Sequence, residues 1–197
     1  MMLLNINQNV HNVDLSHLTR YVNWHHLNAW FPGEVGENHH KLLAYLSSQL
    51  PKGSKVTDLG TQYGASALAL SYNPDVEVTT YDISNQIPDG VPSFRNVKNI
   101  KGVRSSCFDN VQNYIDSKLI LLDISPHNGS DEGRLVGMLL EREYKGLLIC
   151  DDILAFPAMK TFWTELKMKK YDVSIYGHWS GTGIVVFEPK EIDVRIA

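Results

Sequence analysis

Almost every short apolar run of this sequence ends in an acid. Asp58 opens Asp58-Leu-Gly60-Thr61-Gln-Tyr63-Gly64-Ala-Ser66, and Tyr81-Asp82 closes the next run. Arg104-Ser-Ser106-Cys107-Phe108-Asp109 follows the third, Asp123 closes KLILLD, and Asp151-Asp152 closes GLLICDD. Chain reversal needs only turn-forming residues at such places. It does not ask for this many carboxylates at one crevice. Gly60 and Gly64 permit a sharp turn and a close backbone approach to a ligand. Position 62 is Gln, so the loop lacks the GxGxxG of dinucleotide sites, and no GK[ST] phosphate loop is present. What remains is DxGxxxGxS with an acid at position 82, 24 residues after Asp58. This suits an adenosine ligand without pyrophosphate, the Asp82 carboxylate accepting both ribose hydroxyls. The competing reading is a plain strand-to-helix turn with a solvated Asp82.

Asp123, Asp151 and Asp152 are candidate metal ligands. Neighbouring parallel strands lie about 4.8 Å apart, so acids at their ends can converge on one ion. Three ionised carboxylates that close repel one another, and one takes up a proton unless a cation is present. Oxygen ligands alone point to a hard divalent cation, magnesium first or calcium. Such an ion would orient an acceptor hydroxyl and lower its pKa. The competing reading makes Asp123 and Asp152 helix-entry and turn residues. Asp123 and His127 are the candidate catalytic residues, because an imidazole titrates near neutrality and can take a hydroxyl proton. A solvated loop histidine is the alternative for His127. His178 and Trp179, beside SGTG, either wall an acceptor site or pack a hairpin tip. His39 and His40 are adjacent on a helix, so their rings diverge; neither is counted as a ligand. Cys107 and Cys150 read as small buried hydrophobes.

These residues need a scaffold that gathers strand ends. ENHHKLLAYLSSQL places Leu42, Leu43, Leu46 and Leu50 on one helical stripe. From there KVTDLG, DVEVTTYD, RNVKNIKG, KLILLDI and GLLICDD read as strands. ASALALS, FDNVQNYI, DEGRLVGMLLEREY and PAMKTFWTELKMKKY read as the helices between them. KLILLDI and GLLICDD are continuous apolar runs, as in strands buried on both faces. DVSIYGHW and GIVVFE, joined by SGTG, have no helix between them and must pair antiparallel. The expected fold is α/β, a Rossmann-like, doubly wound, seven-stranded, mostly parallel sheet with a C-terminal antiparallel hairpin. Residues 37–197 form that domain. Residues 1–36 read as one or two short helices forming a cap or lid, where Trp24, His25, His26, Trp30 and Phe31 could desolvate an acceptor.

Composition narrows the partners. Eighteen Lys and Arg against 22 Asp and Glu give a net charge of −4, which argues against nucleic acid or an anionic membrane. No apolar run approaches the roughly 18 residues of a membrane span. The first residues lack a basic segment followed by a long apolar one, so no secretory signal is expected. Two cysteines without CxxC spacing suit a reducing compartment, and a cytoplasmic location is expected.

DLGTQYGAS, the acid at Asp82 and the terminal hairpin resemble class I S-adenosylmethionine-dependent methyltransferases over about residues 37–188. With Asp123 and Asp151/Asp152 after the fourth and fifth strands, the chain looks most like their metal-dependent, catechol-O-methyltransferase-like branch and its uncharacterised relatives. The resemblance implies that Gly60 and Gly64, with Thr61, Tyr63 and Ser66 in the same loop, pack under the methionine part of S-adenosylmethionine. Asp58 helps hold its amino group and Asp82 its ribose. Ser106, Cys107 and Phe108 border the adenine, and Asp123 lies beside the cofactor. The implied reaction is O-methylation of a small-molecule hydroxyl, assisted by a divalent cation such as magnesium. One departure stands out. The catechol enzymes carry a lysine base three positions after the first metal aspartate; here that position is Pro126, followed by His127. The alternatives are another metal-dependent enzyme of hydroxylase or hydrolase type, or a non-catalytic cofactor binder.

Overall fold

The computed structural model describes residues 2–22, 34–84, 93–109 and 111–197. Trp24, His25, His26, Trp30 and Phe31, and with them the core of the expected lid, lie outside the described residues. The strands are β1 (Met2–Ile6), β2 (Lys55–Leu59), β3 (Glu77–Asp82), β4 (Ile100–Arg104), β5 (Leu119–Leu122), β6 (Leu147–Asp151), β7 (Lys169–Asp172), β8 (Thr182–Val186) and β9 (Ile192–Ile196). The α-helices are α1 (Glu34–Ser48), α2 (Ala65–Leu70), α3 (Val111–Tyr114), α4 (Ser130–Glu141) and α5 (Pro157–Glu165).

Seven strands form one sheet in the order β4-β3-β2-β5-β6-β8-β7. The first five run parallel. β8 pairs antiparallel to both β6 and β7. This is the expected doubly wound sheet with its antiparallel edge. The chain runs outward from β2 through β3 to β4, then returns to the centre as β5 on the other side of β2. The switch in direction therefore lies between β2 and β5, where open sheets of this kind receive ligands.

The apolar runs are split residue by residue between two layers. Leu119 and Leu121 face one core with α1 and α2, joined by Leu42, Leu46, Leu68 and Ile149. Ile120 and Leu122 face the other with α4 and α5, joined by Leu135, Leu139, Met159 and Phe162. The period of two puts neighbours on opposite faces, and helices cover both, so every residue of β5 and β6 is buried. Each buried leucine or isoleucine among them contributes about 1.5–3 kcal/mol.

Both ends of the chain depart from the expected pattern. Residues 2–6 are extended, not helical. They pair parallel with β9 in a separate two-stranded sheet, Met2 opposite Ile192 through Ile6 opposite Ile196. Leu4 and Ile6 point into the first core. The side chain of Gln49 continues the pairing, accepting from Asn5 N at 2.8 Å and donating to Asn5 O at 2.9 Å. Two 3₁₀ turns follow, Gln8–Asn12 and Ser16–Tyr21. The helix expected through Tyr171 stops at Glu165. Lys170 Nζ folds back to the Leu166 and Thr164 carbonyls at 2.8 and 3.2 Å, satisfying helix-end acceptors. The expected strand at 172–179 is accordingly earlier and shorter, followed by a 3₁₀ turn at Ser174–Tyr176.

The tightest point of the fold is Gly60, just past β2. Its φ is +104°, and a Cβ there would sit 1.6 Å from the backbone oxygen of Asp123. Gly60→Ala is therefore expected to cost at least about 3 kcal/mol, because backbone has to move. Gly53 has a comparable φ of +76° but open space around a built Cβ. Gly53→Ala should cost only the left-handed penalty, about 1–2 kcal/mol. Urea unfolding of the two variants measures the difference, and equal losses would show that contact with Asp123 is not the constraint.

Candidate active site at the carboxyl ends of the parallel strands

The loop after β2 is held by the neighbouring strands. Gly60 N and Thr61 N donate to the Tyr81 carbonyl at 2.9 and 3.3 Å. Gly64 has a φ of +83°, and a Cβ there would sit 2.1 Å from the Phe94 ring. Both glycines thus have a packing reason within the chain, besides any approach to a ligand. The Thr61 hydroxyl turns inward to Thr80. Ser66 is buried at the start of α2, and Tyr63 packs partly buried against the first core.

Asp58, inside β2, is fully buried. Its Oδ2 accepts the Thr80 hydroxyl at 2.6 Å, while Oδ1 has no hydrogen-bond partner among the described residues. Burial pushes its carboxyl up to about 7, against the lowering effect of the Thr80 and Ser66 hydroxyls. Asp82 ends β3 half-buried. It accepts Gln62 N at 2.7 Å on one oxygen and Ser84 N and Oγ at 2.8 and 2.9 Å on the other. It therefore ties the glycine loop to the end of β3.

Ser106, Cys107 and Phe108 form the turn after β4. Ser106 Oγ accepts Phe108 N at 3.2 Å, and the Cys107 carbonyl accepts the Tyr114 hydroxyl at 2.7 Å. The Cys107 side chain is in the second core, where burial pushes its thiol up to about 11. Cys107 is thus an inert packing residue. Phe108 lies 4.3 Å beneath the Arg134 guanidinium.

Across the switch point the three expected metal acids divide between two clusters. In the first, His127 Nε2 lies 3.5 Å from Asp152 Oδ2 and 3.9 Å from Asp123 Oδ1. The Phe156 ring stacks on the imidazole at 6.1 Å. His127 and Asp152 both hold left-handed backbone, φ +55° and +56°, and Gln62 in the glycine loop does so at +43°. Strained non-glycine residues of this kind gather at functional sites. The Asp123 side chain is 33% exposed; partial desolvation, together with the nearby Asp151, Asp152, Asp58 and Glu132, raises its carboxyl above the ordinary range.

The second cluster centres on Asp151, the last residue of β6. Its Oδ1 lies 2.9 Å from His178 Nε2 and 3.6 Å from His39 Nδ1. Burial works against its charge, yet the two imidazoles outweigh this and bring its carboxyl down to about 2. The same pairing raises His178 despite its own burial, whereas burial lowers His39. The Ser180 hydroxyl meets His178 Nδ1. His39 corrects the sequence reading. Set aside as a ligand beside His40, it joins partners from two other elements. Its signal was its place on the apolar stripe at 39, 42, 43 and 46, which turns it toward the sheet. Glu132, in the first turn of α4, had no sequence signal. It is buried, neither carboxylate oxygen has a hydrogen-bond partner among the described residues, and burial raises its carboxyl.

No protein-family model and no curated protein matches this sequence. Solved structures match the fold. An SAH-bound methyltransferase from Podospora anserina aligns with a TM-score of 0.61 at 14% identity, over 87% of this chain and 88% of that one. An O-methyltransferase from Bacillus cereus in complex with SAH aligns with a TM-score of 0.60 at 14% identity, over 87% and 90%. The chain thus has the fold of class I methyltransferases.

Asp58 gives this site a pH signature. A carboxyl that ionises near 4 when unfolded and at about 7 when folded makes the folded state bind the extra proton. Its contribution to stability is greatest below pH ~4, falls as pH rises toward 7, and is a full penalty above that. Asp58→Asn keeps an acceptor for Thr80 and removes the penalty. It should stabilise the ligand-free protein at pH 8 by roughly 1–4 kcal/mol relative to its effect at pH 5. Denaturant unfolding at the two pH values measures this, and an equal effect at both would show that Asp58 ionises normally.

Proposed function

We propose that this chain is an S-adenosylmethionine-dependent methyltransferase acting on a hydroxyl of a small molecule. The observation that carries the reading is Asp58. It presents an unpaired, buried carboxylate oxygen at the switch point of a methyltransferase fold, where an ammonium would satisfy it. Asp82 stands at the end of the adjacent strand, in reach of a ribose. Both are the groups an adenosine ligand with an amino-acid tail needs. When bound, the cofactor supplies an electrophilic methyl group on sulfur.

The remaining steps belong to this chain. Asp58 pairs with the ammonium, which favours the ionised carboxylate and offsets the cost of its burial. Asp82 accepts ribose hydroxyls alongside the bonds it already receives, from Gln62 N on one oxygen and from Ser84 on the other. Gly60, Thr61, Tyr63, Gly64 and Ser66 form the floor beneath the methionine portion, and Ser106, Cys107 and Phe108 the border of the base. His127 takes the acceptor's proton at Nε2. Asp152, at 3.5 Å, stabilises the charge the imidazole gains, and that charge in turn favours the ionised form of Asp123 at 3.9 Å. Phe156 covers its ring. A divalent cation, where Asp151 supplies a carboxylate, would lower the pKa of the acceptor hydroxyl.

Calorimetry with S-adenosylhomocysteine tests the cofactor assignment. Asp82→Ala is expected to weaken binding by roughly 1.5–3 kcal/mol, the scale of hydrogen bonds to a charged group. No binding to the wild type, or undiminished binding to Asp82→Ala, would overturn it. Transfer of labelled methyl to a panel of phenols and sugars tests the reaction. His127→Ala should lower kcat about 10²–10⁴-fold with cofactor affinity unchanged. Full turnover in that variant would remove His127 from the chemistry.

A further inference from the structure

Two histidines and one carboxylate, drawn from three separate elements, meet below the surface beside the proposed catalytic imidazole. His39 comes from α1, Asp151 from the end of β6, and His178 from the segment that leads into β8. Their donor atoms, one from each, all lie within 4.8 Å of one another. The side chains are 7%, 8% and 14% exposed. We propose that His39, Asp151 and His178 form a two-histidine, one-carboxylate site for a first-row transition-metal dication of the zinc, iron or cobalt class, in preference to magnesium. The inference rests on reading this end of the sheet as the active site, and it specifies the ion there.

The donor set decides the class of ion. Imidazole nitrogens suit zinc and the later transition metals, whereas magnesium seeks oxygen ligands and keeps several waters. Bonds of about 2.1 Å to nitrogen and oxygen place donors about 3.0–3.5 Å apart. Asp151 Oδ1 to His178 Nε2, at 2.9 Å, and to His39 Nδ1, at 3.6 Å, are already close to that spacing. Three protein ligands leave at least one position open, the arrangement of a catalytic centre and not of a closed structural one.

The surroundings orient the ligands. His39 shares the stripe of Leu42, Leu43 and Leu46, all fully buried, so α1 is fixed against the sheet. Asp151 pairs with Thr182 across the β6–β8 ladder, which holds the His178 segment in register with the acid. The Ser180 hydroxyl lies on His178 Nδ1. When it accepts the Nδ1 proton, the Nε2 lone pair faces Asp151 and the ion, as metal-bound histidines require. The acids Asp123 and Asp152 stay with His127, so base and ion occupy adjacent but separate seats.

The test is titration of chelator-stripped protein with Co²⁺, followed by its visible ligand-field absorption, with Zn²⁺ and Mg²⁺ as competitors. One equivalent should bind, Zn²⁺ should displace it, and millimolar Mg²⁺ should not. His39→Gln and His178→Gln should each weaken Co²⁺ binding at least about 100-fold, and Ser180→Ala about 10–100-fold. His127→Gln should leave it unchanged. Absence of a ligand-field spectrum in the wild type would overturn the proposal, and this holds even where a histidine variant fails to fold. Loss of binding in His127→Gln with retention in His39→Gln would overturn it too, as would displacement by Mg²⁺. S-adenosylhomocysteine affinity measured on the same samples separates this proposal from the methyltransferase reading. Cobalt bound without cofactor affinity sinks only the latter, and cofactor affinity without cobalt sinks only the former.

Discussion

Two carboxyl groups buried and a third partly buried lie at the carboxyl ends of three neighbouring strands, and a charge drawn out of water has to be answered. Asp58 on β2, Asp123 after β5 and Asp151 on β6 receive three different answers. Asp58 has the Thr80 hydroxyl on one oxygen and no partner among the described residues on the other, so burial lets it hold its proton up to about pH 7. Asp151 has two imidazoles and stays ionised. Asp123 has four acids near it, Asp151, Asp152, Asp58 and Glu132, and an imidazole at 3.9 Å, and its carboxyl is driven toward the neutral form. An extra positive charge is therefore accommodated in two places, beside Asp58 and among the later acids. The rest of the fold holds these three strand ends in register.

Much of this was legible in the sequence. The continuous apolar runs of β5 and β6 announced burial on both faces. The alternation of strand and helix then fixed a parallel sheet and so placed Asp58, Asp82, Asp123 and Asp151 at one end. Carboxylates at strand ends are visible in sequence because a strand's end is a local property. The division of the acids between two clusters was not visible. It depends on which way Asp151 turns, and that is decided by His39 and His178, which reach it from elements far away in the chain. His39 was dismissed because only its neighbour, His40, was weighed as a partner, whereas a helix stripe partners across space.

The ends of the chain were misread for a related reason. MLLNI is too short to show a period, and its hydrogen-bond partner is the last strand. In the same way KMKKY continued a helical pattern on composition. The helix stops at Glu165, and Lys170 bends back to the carbonyls of Leu166 and Thr164, a local side-chain contact that composition does not record. Gly60 was read as making room for a ligand. The structure shows that it also makes room for the Asp123 carbonyl, so the same missing side chain brings the glycine loop against the end of β5.

The pairing of β1 with β9 also has a meaning for synthesis. A ribosome delivers the first strand long before the last, so residues 2–6 must stay without their ladder partner until nearly the whole sheet has formed. Contacts between segments so distant along the chain are slow to close. Until β9 has been made, the β1 backbone edge has no ladder partner, an open strand edge of the kind that holdase chaperones engage. Docking of β9 closes that edge, so β1 is secured later than the strands that follow it.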